Sequence, residues 1–354
     1  MSKRNFSIDL LKVLASQVIV LHHLANYSPM TSSVQLGLQG LFDLLMWEGR
    51  YVVQIFLVIG GFLSVQSLSK YFDPARQVQS SLPQVIWQRY LRLGKPYWVA
   101  MLIATMVMIM VELWILQDKL HWGQTLYQLL AHVLLLHDVL GVEALSAGVW
   151  YVAIDLQLFA LTAMALCAAK YLSQKTQVAF HTWALILLLA LSAAGLYWFN
   201  RNPDIDEWAI YFFGSYGLGM MCHWAILQQR RAVWSAIIVG FLSLGLWIEW
   251  RERLLVAAFA AAVLLYGEPL REWFLNNNRN YAKNAVRAKV ISWIEQWGDA
   301  SYSVFLIHYP IILLISSLML VWEPQNRAAD YSAWLLAWGL SLGAGFYLHR
   351  KVGQ

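Results

Sequence analysis

The chain has 354 residues, 60% of them hydrophobic and only 13% charged, with a formal net charge of +5 and a mean hydropathy of +0.52. Soluble domains carry about 25% charged residues, so these figures exclude a soluble globular enzyme and a disordered tail. The basic excess is too small for a nucleic-acid binder. What remains is an all-α polytopic integral membrane protein. Two cysteines, Cys167 and Cys222, provide neither a disulfide framework nor a Cys-rich metal site. The 19 Trp and 17 Tyr suit interfacial aromatic belts.

In chain order, the basic start Met1-Ser-Lys-Arg leads straight into an apolar run with no small-residue cleavage site, so no cleavable signal peptide is expected. A membrane-crossing helix needs about 20 apolar residues. Ten such spans are predicted, near 8–30, 52–69, 95–116, 148–169, 178–198, 208–227, 233–250, 254–267, 301–322 and 331–349. The segment 125–140, holding His132 and His137, is shorter and reads as re-entrant or interfacial. Ten spans with both termini cytoplasmic place most of the 25 Lys and Arg inside. Letting 125–140 cross would turn most of the later basic residues outward. The chain therefore reads as one transmembrane domain, 1–354, whose largest cytoplasmic loop is a polar, basic stretch at about 268–298. No internal repeat is evident, which disfavours repeat-built transporters.

The first span carries a polar stripe of Asp9, Lys12, Ser16 and His23. Eleven residues separate Lys12 from His23, nearly three helical turns or about 16 Å, so both face one way. Ser16 shares that face, and Asp9 is three residues from Lys12, close enough to pair. Charges in a membrane are costly and rarely face lipid, so the stripe is expected to line a protein-enclosed cavity. The alternative has Asp9 and Lys12 snorkelling at the interface while His23 bonds a neighbouring helix. His22 points about 80° away from the Lys12 face, which leaves His23 as the catalytic candidate.

These residues resemble a known pattern. Asp9-Leu-Leu-Lys12, ten residues, then His23 is similar to the first-span signature of the membrane-bound acyltransferase-3 family. Four further segments follow in that family's order. Val53-Gln-Ile-Phe-Leu-Val-Ile-Gly-Gly-Phe-Leu63 resembles its second-span motif. Arg89-Tyr-Leu-Arg92, followed by Leu-Gly-Lys-Pro-Tyr-Trp98, resembles its Arg-x-x-Arg entry to the third span. Trp150-Tyr-Val-Ala-Ile-Asp-Leu-Gln-Leu-Phe159 resembles its Trp-initiated acidic motif. Gly298-Asp-Ala-Ser-Tyr-Ser-Val-Phe-Leu-Ile-His-Tyr-Pro310 resembles its late Ser-Tyr-Ser…His-x-Pro segment. The chain departs at Gln54, where the family usually has Asp, at Gly60, where it usually has Ser, and at Leu156, where a second acid often follows Asp155.

The resemblance implies an O-acyltransferase, most simply an O-acetyltransferase, of a bacterial inner membrane. Its donor would be acetyl-CoA or another acyl-CoA, with no bound cofactor. Its acceptor would be a carbohydrate or lipid-linked sugar, amid membrane lipids and without nucleic acid. Arg89, Arg92 and Lys95 lie on the predicted cytoplasmic edge, and guanidinium forks suit phosphate oxygens. They would dock the acyl-CoA, or else anchor lipid head groups. Neutral His23 can accept a proton and would act as general base, or carry the acyl group itself. Lys12 would bind donor phosphate or orient the stripe through Asp9. Asp155 would orient His23 or hold the acceptor hydroxyl, or else pair with Lys119 or Arg50. Gln54, Gly60 and Gly61 would line the cavity, with helix packing the alternative role for the glycines. His308 would line the same cavity, or else satisfy backbone groups freed by Pro310. His132 and His137, five apart, make a poor helical metal pair, and no metal is expected. The rival readings are an exporter of a glycan or acylated small molecule, using His23 as a proton relay, and a non-catalytic scaffold.

Overall fold

A backbone surrounded by lipid has no water to bond, so a chain this apolar satisfies its amides within helices. The computed structural model describes residues 5–31, 34, 39–72, 81–115, 122–276, 281–322 and 326–353. These form α1 (Phe6–Tyr27), α2 (Gln39–Trp47), α3 (Val53–Phe72), α4 (Leu82–Met110), α5 (Trp122–Val133) and α6 (Trp150–Thr176). They continue as α7 (Phe180–Tyr197), α8 (Ala209–Leu227), α9 (Arg231–Ile248), α10 (Arg253–Asn276), α11 (Tyr281–Trp322) and α12 (Arg327–Val352). No strand occurs among the described residues.

Nine of these helices are long and apolar enough to cross a membrane: α1, α3, α4 and α6 to α11. Each coincides with a predicted span. The tenth predicted span is a 26-residue helix, α12, but it is not among the nine. Tyr331, Trp334, Trp338, Gly339, Gly343 and Gly345 dilute its leucines. The segment 125–140 spans the end of α5, which has 12 residues, about 18 Å at 1.5 Å per residue, and the chain then turns repeatedly to 149. Two further expectations are corrected. The short span at 254–267 is the middle of the 24-residue α10, which continues through Pro269. The polar stretch 268–298 is helical on both sides of 277–280, which lie outside the described residues. Its second part is the start of the 42-residue α11, because Lys, Arg, Glu and Gln are good helix formers. Exposed tryptophans mark helix ends, as an interfacial belt requires: Trp47, Trp198, Trp208, Trp247 and Trp322.

The chain divides into two compact units. The first comprises Met1–Leu11, Gln54–Arg92 and Val152–Ala288. Asn5 caps α1, its side-chain oxygen accepting from the Ser7 amide at 3.0 Å. The Phe6 amide donates to Glu268 of α10. Arg251, buried in the turn before α10, donates to Asn200 Oδ1 at 2.7 Å and to the Leu196 carbonyl at 3.1 Å, closing the end of α7. The second unit comprises Lys12–Val53, Leu93–Tyr151 and Lys289–Gln354. In it, Trp338 of α12 donates to Gln17 of α1 at 3.1 Å, and Tyr331 donates to the Val34 carbonyl at 3.2 Å. Tyr302, from the Ser-Tyr-Ser motif of α11, donates to the Leu93 carbonyl of α4 at 3.0 Å.

In the first unit α3 and α8 touch backbone to backbone. A Cβ on Gly61 would overlap the Tyr216 carbonyl oxygen, and one on Gly219 would overlap the Val58 carbonyl oxygen. Neither obstacle is a flexible side chain, so the helices themselves must separate. Gly61→Ala is expected to destabilise the protein by about 3 kcal/mol or more, read as unfolding in detergent micelles. Gly240, with nothing within 4 Å of the added carbon, is the control, and its change to Ala is expected to be neutral or stabilising. Equal tolerance at both positions would contradict the close approach.

Candidate active site

The motif residues gather in two buried polar centres, one in each unit. In the second unit, α1 is helical throughout, as the stripe requires. His23 is 6% exposed and His308, on α11, is 0% exposed. Their rings meet edge to edge: His23 Nδ1 lies 2.6 Å from His308 Nε2, with the planes 4° apart. His308 Nδ1 lies 2.7 Å from the carbonyl oxygen of Phe305 in its own helix. That is not the carbonyl Pro310 frees, since a proline deprives the residue four before it, here Leu306. Gly148, at φ +82°, brings the turn before α6 against this pair, with an added Cβ 3.5 Å from His23 Cε1 and 3.2 Å from the Phe305 ring. Tyr27 stands on the other flank, its ring centroid 5.6 Å from that of His23. A buried imidazole so held can take and return a proton.

His22 serves elsewhere, with Nδ1 2.7 Å from the Leu45 carbonyl oxygen. Ser16 is buried, but its hydroxyl donates to Val13 of its own helix at 2.9 Å. Lys12 is half-buried at the start of this unit, and Lys95 is exposed on α4.

In the first unit, Asp155 of α6 is 4% exposed and accepts from Arg89 of α4 at 2.5 Å. This partner replaces the expected Arg50 or Lys119, the latter outside the described residues. The Arg89 guanidinium also lies over the Phe159 ring at 5.2 Å. Arg92, one turn further along α4, is exposed. Asp9 is buried in this unit. Two of the three departures from the family motifs, Gln54 and Gly60, meet α8. Gln54 accepts from Ser215 at 2.6 Å. A Cβ on Gly60 would sit 2.9 Å from the Tyr216 ring and 3.3 Å from Asp155 Oδ1. The bare backbone of Gly60 thus makes room for Tyr216, whose hydroxyl shares a 2.7 Å hydrogen bond with Ser64. Tyr216, Ser215 and Gly148 gave no sequence signal; Ser64, one turn beyond Gly60, lay next to a recognisable motif.

The turns after α5 hold a second histidine pair. His132 and His137 are 0% exposed and stacked face to face at 4.1 Å. The positive φ of Leu135 reverses the chain between them, which spacing alone did not suggest. His132 bonds the Gln128 carbonyl and the Leu145 amide, whereas neither ring nitrogen of His137 makes a hydrogen bond among the described residues. Asp138 is 3.5 Å from His137 Nε2. Burial, with His132 beside it, pushes His137 down from 6.5 to about 3. The folded chain thus binds fewer protons here than the unfolded chain between these values. Stability from this turn is complete above about pH 6.5 and is lost as pH falls toward 3. Hydrogen exchange at 134–149, corrected for intrinsic rates, is expected to quicken below pH 6.5 in wild type and to show no such step in His137→Phe. The same step in both proteins would contradict the assignment.

Taken together, these features define a multi-pass membrane protein whose helices bury an imidazole pair and a guanidinium–carboxylate pair. A family model described as an acyltransferase domain, that of the acyltransferase-3 family, matches residues 5–348. The chain belongs to that family and is an acyltransferase. No curated protein and no solved structure matches it.

Proposed function

We propose that the protein is an O-acyltransferase that moves an acyl group, most simply acetyl, from cytoplasmic acyl-CoA to a hydroxyl of a carbohydrate or lipid-linked sugar at a bacterial inner membrane. The observation that carries this reading is His23: an imidazole buried in a span, held by a second imidazole. His23 takes the proton of the acceptor hydroxyl as its oxygen attacks the thioester carbonyl. The carbon–sulfur bond breaks, and the imidazolium returns the proton to the departing CoA thiolate, giving an ester and free thiol. The thioester is already activated, so no bound cofactor is required.

Arg92 and Lys95, exposed three residues apart on α4, supply positive charge for the donor phosphates. Arg89 has its charge balanced by Asp155, and its role in this reading is to fix the α4 turn that carries Arg92. With α12 as the tenth span, both termini are cytoplasmic. His349, Arg350 and Lys351 in its last turn support that orientation. Release of free thiol from acyl-CoA by the purified protein, with membrane glycan as acceptor, tests the proposal.

A further inference from the structure

We infer that His308 is a positioning residue that fixes the tautomer of His23 and thereby makes Nε2 of His23 the basic nitrogen; the inference rests on the acyl-transfer reading above. A neutral imidazole has one N–H and one lone pair. His308 Nδ1 lies 2.7 Å from the Phe305 carbonyl oxygen, which can only accept. The N–H of His308 is therefore on Nδ1, and its Nε2 holds the lone pair. His23 Nδ1, 2.6 Å from that lone pair, must donate, so it carries the N–H of His23. The lone pair of His23 is left on Nε2, where no hydrogen bond forms among the described residues.

The ring geometry agrees with a directed bond. The centroids are 4.9 Å apart with planes within 4°, as two rings joined head to tail in one plane would be, since imidazole N–H groups and lone pairs lie in the ring plane. The face-stacked pair His132 and His137 is closer, at 4.1 Å. Both members of the His23 pair are buried, and the opposite tautomer of His23 would turn lone pair against lone pair.

The consequence for the reaction is specific. A proton accepted at His23 Nε2 makes an imidazolium whose Nδ1–H still donates to His308. That proton can also cross to His308 Nε2, leaving the charge on the ring bonded to Phe305. The two rings hold one added proton between them, and it returns through His23 Nε2 to the leaving thiolate. A glutamine at 308 can accept from His23 Nδ1–H but cannot take the proton.

The test uses full-length protein in micelles, with 15N-imidazole NMR and steady-state turnover of acetyl-CoA measured on the same preparations. The chain has nine histidines, so His23 is assigned by comparison with His23→Gln. Wild type is expected to show His23 protonated at Nδ1 and bare at Nε2. His308→Leu is expected to lose that bias and about 10- to 100-fold in kcat, with the KM for acetyl-CoA unchanged. His308→Gln is expected to restore the tautomer and part of kcat, which a merely structural role would not do. Wild type protonated at Nε2 would overturn the inference, as would folded His308→Leu with unaltered His23 signals and kcat within twofold. If the signals behave as expected but no preparation transfers acyl groups, the tautomer assignment stands and the acyl-transfer reading is what fails.

Discussion

Replacing His23 by Gln is expected to lower the rate of acyl transfer by about 10²–10⁴-fold, the usual contribution of a positioned general base. Glutamine keeps most of the volume and can still donate a hydrogen bond, so His308, itself 0% exposed, retains a partner. The loss should therefore appear in kcat with folding and donor binding intact. His22→Gln is the matched control: that ring is tied to the Leu45 carbonyl, and its loss should alter stability more than rate. A His23→Gln protein with kcat within a few-fold of wild type would remove His23 from the chemistry.

The second large effect is on stability. Arg89 and Asp155 meet at 2.5 Å, with side-chain exposures of 21% and 5%. Removing one member of a buried ion pair costs about 3–5 kcal/mol, because the remaining charge keeps its desolvation penalty. The asymmetry in exposure predicts an order. Arg89→Ala strands the deeply buried carboxylate and should be the more damaging. Asp155→Ala leaves a guanidinium that water can partly reach. The double variant should be less destabilised than the sum of the two, read by unfolding in micelles as a double-mutant cycle. Additivity within about 0.5 kcal/mol would show that the two charges do not stabilise each other.

The helices were legible because continuous apolar runs leave the backbone no alternative to helix. The count was less so: α12 is a helix where one was expected, but its aromatic and glycine residues dilute the apolar signal. The stretch 268–298 misled for the opposite reason, since it is helical on both sides of 277–280 despite its polar composition. In the site, His23, His308, Arg89 and Asp155 were each visible as motif residues. Their partners were not, because 285 positions separate His23 from His308 and 66 separate Arg89 from Asp155. Spacing along one helix cannot report a bond to another. Ser16 shows this limit from the other side: it lies on the expected face, yet its hydroxyl is taken by Val13 of the same helix. The exchange of Ser for Gly at 60 became intelligible only once the Tyr216 ring was found against it.

The most direct measurement is thiol release from acetyl-CoA by purified wild-type protein in nanodiscs, with membrane glycan extract as acceptor and His23→Gln alongside. Wild type is expected to release CoA only when acceptor is present, and to transfer label from the acetyl group into the glycan. The variant is expected to do neither while still binding the donor. Folded wild-type protein that neither binds nor consumes any short acyl-CoA, with extract from cells known to carry the modification, would contradict the assignment of donor and acceptor.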